Sequence, residues 1–240
     1  MSGFAVEWRG VRKTFGKVVA VDRVDLAVEP GTFLGLIGHN GAGKSTCLEM
    51  LMGLLQPTEG HVLVAGIDVV ADPKGARAKL GAVPEEPGLY DWLTAREWLE
   101  FVAEIRGGGD VRAALDVSDL GADSDRLIRE YSQGMRRRTA LAAALLGDPA
   151  AIVLDEALNG LDPPSAARIK GILREQVQGG RTVILSTHVV ETVQAVADRV
   201  VMLAHGRVVA DAKMAELGSK GLEELFLTKL AETQREGRAR

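Results

Sequence analysis

The chain has 240 residues, a mass of 25.6 kDa and a formal net charge of −4. Apolar residues make up 46% and charged residues 26%. That is a globular balance which excludes disorder, collagen and coiled coil as the main organisation, and the acidic sum argues against nucleic-acid binding through bulk charge. Cys47 is the sole cysteine, so no intrachain disulfide forms and a reducing compartment fits.

The first 30 residues read as strands: Val6 and Trp8 stand at period two, and Val18, Val19 and Val21 form a β-branched cluster. Glu29-Pro30-Gly31 is a turn, and Phe33–Ile37 is a short apolar strand that enters a glycine-rich loop. A helix is expected over 44–54, stopped by Pro57-Thr58-Glu59-Gly60, with a strand again at 61–65. From 84 to 147 the pattern is helical. Thr94 with Glu97 makes a capping box, Trp98, Leu99, Phe101 and Val102 supply an apolar face, and Gly107-Gly108-Gly109 ends that helix. A second helix covers 135–146, with Leu141, Leu145 and Leu146 in one stripe, and Gly147-Asp148-Pro149 stops it.

Alternation of strand and helix resumes at 151. The strand 151–154 precedes a helix capped by Asp162, with Pro163 at its first position, that runs to Gly179-Gly180. Strand 182–186, helix 189–197 and a hairpin turning at His205-Gly206 follow, and the tail 221–240 begins helical and frays. The start, MSGFAVEWRG, lacks the layout of a signal peptide. No apolar run reaches the roughly 18 residues that crossing a bilayer needs. The expected fold is α/β with a mostly parallel sheet and a helical insertion.

Gly38-His39-Asn40-Gly41-Ala42-Gly43-Lys44-Ser45 fits the phosphate-loop pattern, with an apolar strand before it and a helix after. Glycines let successive N–H groups face a phosphate, the helix start favours negative charge, Lys44 reaches the β- and γ-phosphates, and Ser45 ligates Mg²⁺. Lys44 is expected in a solvent-facing loop. Ile152-Val153-Leu154-Asp155-Glu156 is an apolar strand ending in two carboxylates, which such a fold places beside the loop. Asp155 then holds Mg²⁺ through a water, and Glu156 orients or deprotonates the attacking water. His188, after Ser186-Thr187, can donate to a γ-phosphate oxygen. His39, His61 and His205 read as loop, turn or strand-end residues, and no spacing suggests zinc.

The order of these motifs, with Tyr131-Ser132-Gln133-Gly134-Met135 standing 20 residues before Glu156, resembles the ATP-binding subunits of ABC transporters over nearly the whole chain. The resemblance implies a P-loop NTPase (RecA-like) core with an antiparallel β subdomain and an inserted α-helical subdomain. These form one domain over 1–240, with the core in 1–83 and 148–211, the helical part in 84–147 and a helical tail in 212–240. It also implies that Phe15 stacks on adenine, that residues 38–45 with Thr46 bind ATP, and that Glu85 stands in the glutamine loop and contacts Mg²⁺. Asn159-Gly160-Leu161-Asp162 becomes the D-loop and His188 the switch histidine. Ser132 and Gly134, at a helix start, meet the γ-phosphate held by the opposite subunit, so two chains pack head to tail.

The implied partners are a second copy or a homologous ATPase subunit and a separate integral-membrane permease. The implied location is the cytoplasmic face of the cell membrane, and the implied function is ATP-driven export. Three features depart from the common pattern: the signature reads YSQGM, Glu85 replaces glutamine, and the stretch between Ile105 and Tyr131 is short and includes a run of three glycines. A non-transport ABC protein acting on DNA repair or ribosomes, a P-loop kinase of a small molecule, and nucleotide binding without turnover are the competing readings.

Overall fold

The computed structural model describes residues 3–238. In chain order the elements are β1 (Val6–Phe15), β2 (Val18–Val28), β3 (Phe33–Ile37), α1 (Lys44–Leu51), β4 (Glu59–Val64), β5 (Ile67–Asp68), α2 (Pro73–Ala78) and β6 (Leu80–Val83). They continue with α3 (Ala95–Ile105), α4 (Val111–Ser118), α5 (Gln133–Ala144), β7 (Ala151–Asp155), α6 (Pro163–Gln178) and β8 (Thr182–Thr187). The last are α7 (Val190–Val196), β9 (Arg199–Ala204), β10 (Arg207–Lys213) and α8 (Met214–Arg238).

Two sheets result. A four-stranded antiparallel sheet runs β2-β1-β4-β5, and a six-stranded sheet runs β10-β9-β3-β8-β7-β6. In the second, only the β9–β10 hairpin pairs antiparallel. β3, β7 and β8 are buried along their whole length, as strands covered on both faces must be. One core cluster joins the antiparallel sheet to α1 and one face of the parallel sheet, through Trp8, Leu34, Leu48, Val153 and Ile184. The Trp8 indole N–H also donates to the Cys47 carbonyl at 3.3 Å, fastening that sheet to α1.

The helical stretch packs on a mostly small-residue seam, with Leu99, Ala103, Ala114, Ala142, Ala143 and Leu146 in one cluster. The capping box forms: Thr94 N donates to Glu97 Oε2 at 2.8 Å and Glu97 N to Thr94 Oγ1 at 3.1 Å. Asp162 caps α6 by accepting from Ser165 N at 2.9 Å.

Several expectations shift. α1 ends at Leu51, because Gly53 turns left-handed at φ 68° before the proline arrives. α5 begins at Gln133, two residues before the expected start at 135, capped by Ser132. Phe101 is exposed rather than part of the α3 core face. Short β5, α2 and β6, and the eight-residue α4, carry too few residues for a periodicity signal. The tail helix starts at Met214 and continues through Arg238, so the fraying expected over 234–240 is not seen at 234–238, and residues 239–240 lie outside the described residues.

Candidate functional site

Parallel pairing decides where the chemistry gathers. β3 pairs with β8 (Ile37 opposite Thr187), and β8 with β7 (Ser186 opposite Asp155). The three strands therefore end at one edge, where the glycine loop, the Asp155-Glu156 pair and His188 meet. The cleft there has a volume of about 530 Å³ and is lined by Val18, Val19, Ala20, Asn40 to Thr46, Glu85, Glu156 and His188. A larger open cleft of about 790 Å³ lies by Ala150 and Arg181, where β7 and β8 begin. Its Lys79, Asp148, Glu175 and Arg181 carry balanced charge, and it has no phosphate loop.

The loop's geometry depends on glycine at two places. Gly38 has φ 157° and an added Cβ would lie 2.4 Å from the Leu203 carbonyl; Gly43 has φ 103° and would meet the Ala20 carbonyl at 2.7 Å. A second brace comes from the β9–β10 turn, where Gly206 N donates to Ala42 O at 2.9 Å. His205 of that turn stands edge-on to His39, ring centroids 5.5 Å apart.

Lys44 is buried at 6% exposure, which corrects the expectation of a solvent-facing residue. As the first residue of α1 its stem points inward. Nζ donates to Gly38 O at 2.8 Å and lies 3.7 Å from Glu156 Oε1. Glu156 is also buried, at 8%, and takes a left-handed φ of 49°, an uncommon conformation for a residue with a side chain. Its carboxylate accepts from Asn159 Nδ2 at 2.7 Å and stands 3.2 Å from His188 Nδ1. One carboxylate is thus oriented by an ammonium, an amide and an imidazole from three segments. Asn159 was readable from sequence only as part of the D-loop; its contact with Glu156 needs the turn that follows β7.

Asp155 is buried and its Oδ1 has no hydrogen-bond partner among the described residues. No cluster of three or more His, Cys, Asp or Glu is placed to hold a metal among the described residues. The donor set near the loop is the Ser45 hydroxyl with one or two carboxylates, which suits Mg²⁺ when phosphates supply the remaining oxygens. Glu85 lines the cleft and Glu86 does not. Burial pushes the Cys47 thiol up to about 12, so this residue of α1 is an inert filler rather than a nucleophile.

Six expected site residues are not part of the cleft wall: Gly38, His39 and Asp155, which adjoin it in sequence, and Phe15, Ser132 and Gly134. Phe15 is half exposed and pairs with Val18, which does line the cleft, so the ring sits just beyond its rim. Lys13 Nζ is 5.1 Å from that ring. Ser132 caps α5 by accepting from Met135 N at 3.2 Å, and an added Cβ on Gly134 would stand 3.6 Å from Leu161. The signature helix start and the D-loop are therefore neighbours.

A glycine loop between a central parallel strand and a helix, faced by carboxylates at the end of the next strand but one in the sheet, defines a P-loop nucleotide hydrolase. Residues 21–159 match the ABC transporter family model. The chain is 33% identical to "Bacitracin transport ATP-binding protein BcrA" of Enterococcus faecalis, covering 89% of this chain and 71% of that one. It is 37% identical to "Nod factor export ATP-binding protein I" of a Rhizobium strain, covering 88% and 71%. An ATP-binding cassette solved as a dimer in a post-hydrolysis state with ADP and Pi superposes with TM-score 0.78 at 27% identity, covering 87% of this chain and 98% of that one. The chain belongs to the ABC transporter family, as an ATP-binding, ATP-hydrolysing subunit.

Proposed function

We propose that this chain hydrolyses Mg-ATP at sites shared with a second ATPase subunit and that hydrolysis drives export through a separate membrane permease. The carrying observation is the Glu156 carboxylate, buried at the loop's edge and oriented by Lys44, Asn159 and His188. In this reading Gly38 to Thr46 cradle the phosphates, and Lys44 exchanges its contact with Glu156 for the β- and γ-phosphates. Glu156 takes the proton of the attacking water, and His188 contacts the γ-phosphate. Phe15 meets the adenine at the rim. Ser45, Asp155 and Glu85 would hold Mg²⁺, whose Lewis acidity offsets charge on the phosphates when bound.

Ser132 and Gly134 lie apart from the cleft of their own chain, which supports their serving the partner's nucleotide. The helical stretch 84–147 is then the subdomain that delivers this signature across the dimer. No helix among the described residues is long and apolar enough to cross a membrane. Tyr90, Trp92, Phe101 and Ile105, which follow the Glu85 loop in sequence, are exposed, and the Tyr90 and Phe101 rings stand 6.1 Å apart. Apolar patches of this kind fit a protein contact, and here the permease is the proposed occupant, holding the subunit against the inner membrane face.

A mixed dimer tests the shared site. With Lys44→Ala in one chain and Ser132→Arg in the other, both lesions fall in one composite site and the second stays whole. Hydrolysis by the mixed dimer is expected to exceed that of either mutant homodimer; equal inactivity in all three would overturn the arrangement.

Glu85 gives a further prediction. Its carboxylate adds charge to the oxygen that a glutamine would offer, and Mg²⁺ favours hard anionic oxygen. Glu85→Gln is expected to keep hydrolysis within about tenfold yet need more Mg²⁺ for half-maximal rate. Titrating Mg²⁺ against ATPase rate for Glu85→Gln and Glu86→Ala checks this, and a shift only in Glu86→Ala would move the role by one residue.

A further inference from the structure

Two polar atoms near the ends of β7 and β8 are buried and have no hydrogen-bond partner among the described residues: Asp155 Oδ1 and Ser186 Oγ. Asp155 is 4% exposed and Ser186 0%. The two residues face each other in register across β7 and β8, and Ser186 pairs on its other side with Leu36 of β3. Partners in register place their side chains on the same face of a sheet. That face carries α1, since Val153, Ile184, Leu36, Leu48 and Leu51 share one apolar cluster. Ser186 therefore sits beneath the phosphate loop, between an apolar side chain and the carboxylate assigned above to the metal.

Packing does not account for a serine there. Its in-register neighbours are the apolar Leu36 on one side and the Asp155 carboxylate on the other, and a buried hydroxyl left unpaired is unfavourable where an alanine or valine would not be. The two atoms belong to residues in register on one face, one able to donate and one able to accept, and a single water between them would satisfy both. Mg²⁺ keeps several of its waters when it binds a protein–phosphate site, and partners beyond the direct ligands orient those ligands.

We propose that Ser186 is a positioning residue which, with Asp155 Oδ1, holds a water belonging to the hydrated Mg²⁺ of bound ATP. This rests on the Mg-ATP reading above. Ser186 touches neither the nucleotide nor the metal; it sets where the water stands and so how Asp155 presents its oxygen.

Calorimetric titration of ATP, with Mg²⁺ and with EDTA, tests this on wild type, Ser186→Ala and Ser186→Thr, each also melted without nucleotide. In wild type, Mg²⁺ raises ATP affinity. In Ser186→Ala that gain is expected to shrink by roughly threefold to tenfold, the worth of one water-mediated hydrogen bond, while affinity in EDTA is unchanged. The melting temperature of Ser186→Ala without nucleotide stays level or rises, because no protein hydrogen bond is lost. Ser186→Thr keeps the hydroxyl and restores the gain. An undiminished Mg²⁺ gain in Ser186→Ala overturns the proposal, as does a lower melting temperature with equal loss of affinity in both buffers, which marks a structural role. Absence of any Mg²⁺ gain in wild type refutes the Mg-ATP reading itself, and this inference with it.

Discussion

Glu156→Gln slows ATP hydrolysis by about 10²-fold or more, the worth of a positioned general base, and leaves nucleotide binding in place. Glutamine keeps the length of the side chain and an oxygen that can still accept from Asn159, whose amide now lies 2.7 Å from Glu156 Oε2. What it loses is the ability to take a proton, together with the charge opposite Lys44 Nζ, 3.7 Å away. Removing that charge frees Lys44 for phosphate, so affinity for ATP stays level or improves. With turnover blocked and ATP bound, the head-to-tail dimer accumulates. Single-turnover hydrolysis and light scattering in Mg-ATP check both parts: the rate falls and the mass doubles. Wild-type rates in Glu156→Gln would assign the base elsewhere.

Lys44→Ala weakens ATP binding by about 10²-fold or more, the value of one or two charge-assisted hydrogen bonds to phosphate. It also costs stability. Because the lysine is buried and donates to Gly38 O at 2.8 Å, the variant leaves a gap under the loop, an unpaired carbonyl and a less neutralised Glu156. A loss of about 1–3 kcal/mol is expected, within the margin of about 5–15 kcal/mol that a folded domain holds. The protein folds and melts several degrees lower. Calorimetric titration with Mg-ATP reads the first effect and a thermal melt the second. Unchanged affinity would remove the phosphate loop from the account, whereas an unchanged melt would show only that the cavity collapses well.

Much of this was legible in the chain. The glycine loop, the apolar strand ending in Asp155-Glu156, the capping box at Thr94 and the Asp162-Pro163 helix start each rest on residues close in sequence, and local backbone chemistry is enough to place them. Even the family could be read, because the order of the motifs is a property of the sequence. Where reading failed, elements were short or faces ambiguous: α2, α4 and β5 are too brief for periodicity, and Val18 and Val19 have strand-forming side chains that end at the cleft rather than in a core.

The tertiary structure alone decided the electrostatics. Lys44 belongs to a glycine-rich loop by sequence, yet α1 turns its side chain inward against the end of β7. Glu156 meets Asn159 within its own turn, but it meets Lys44 and His188 only because β3, β8 and β7 lie side by side and parallel, a non-local pairing that no window of residues encodes. The unpaired Asp155 and Ser186 oxygens arise in the same way. Each residue is ordinary at its own position, and it is the register between strands 31 residues apart in sequence that buries the two together. Sequence determined which groups carry charge and which turns present them; burial and distance, which set how strongly those groups interact, exist only once the sheet has formed.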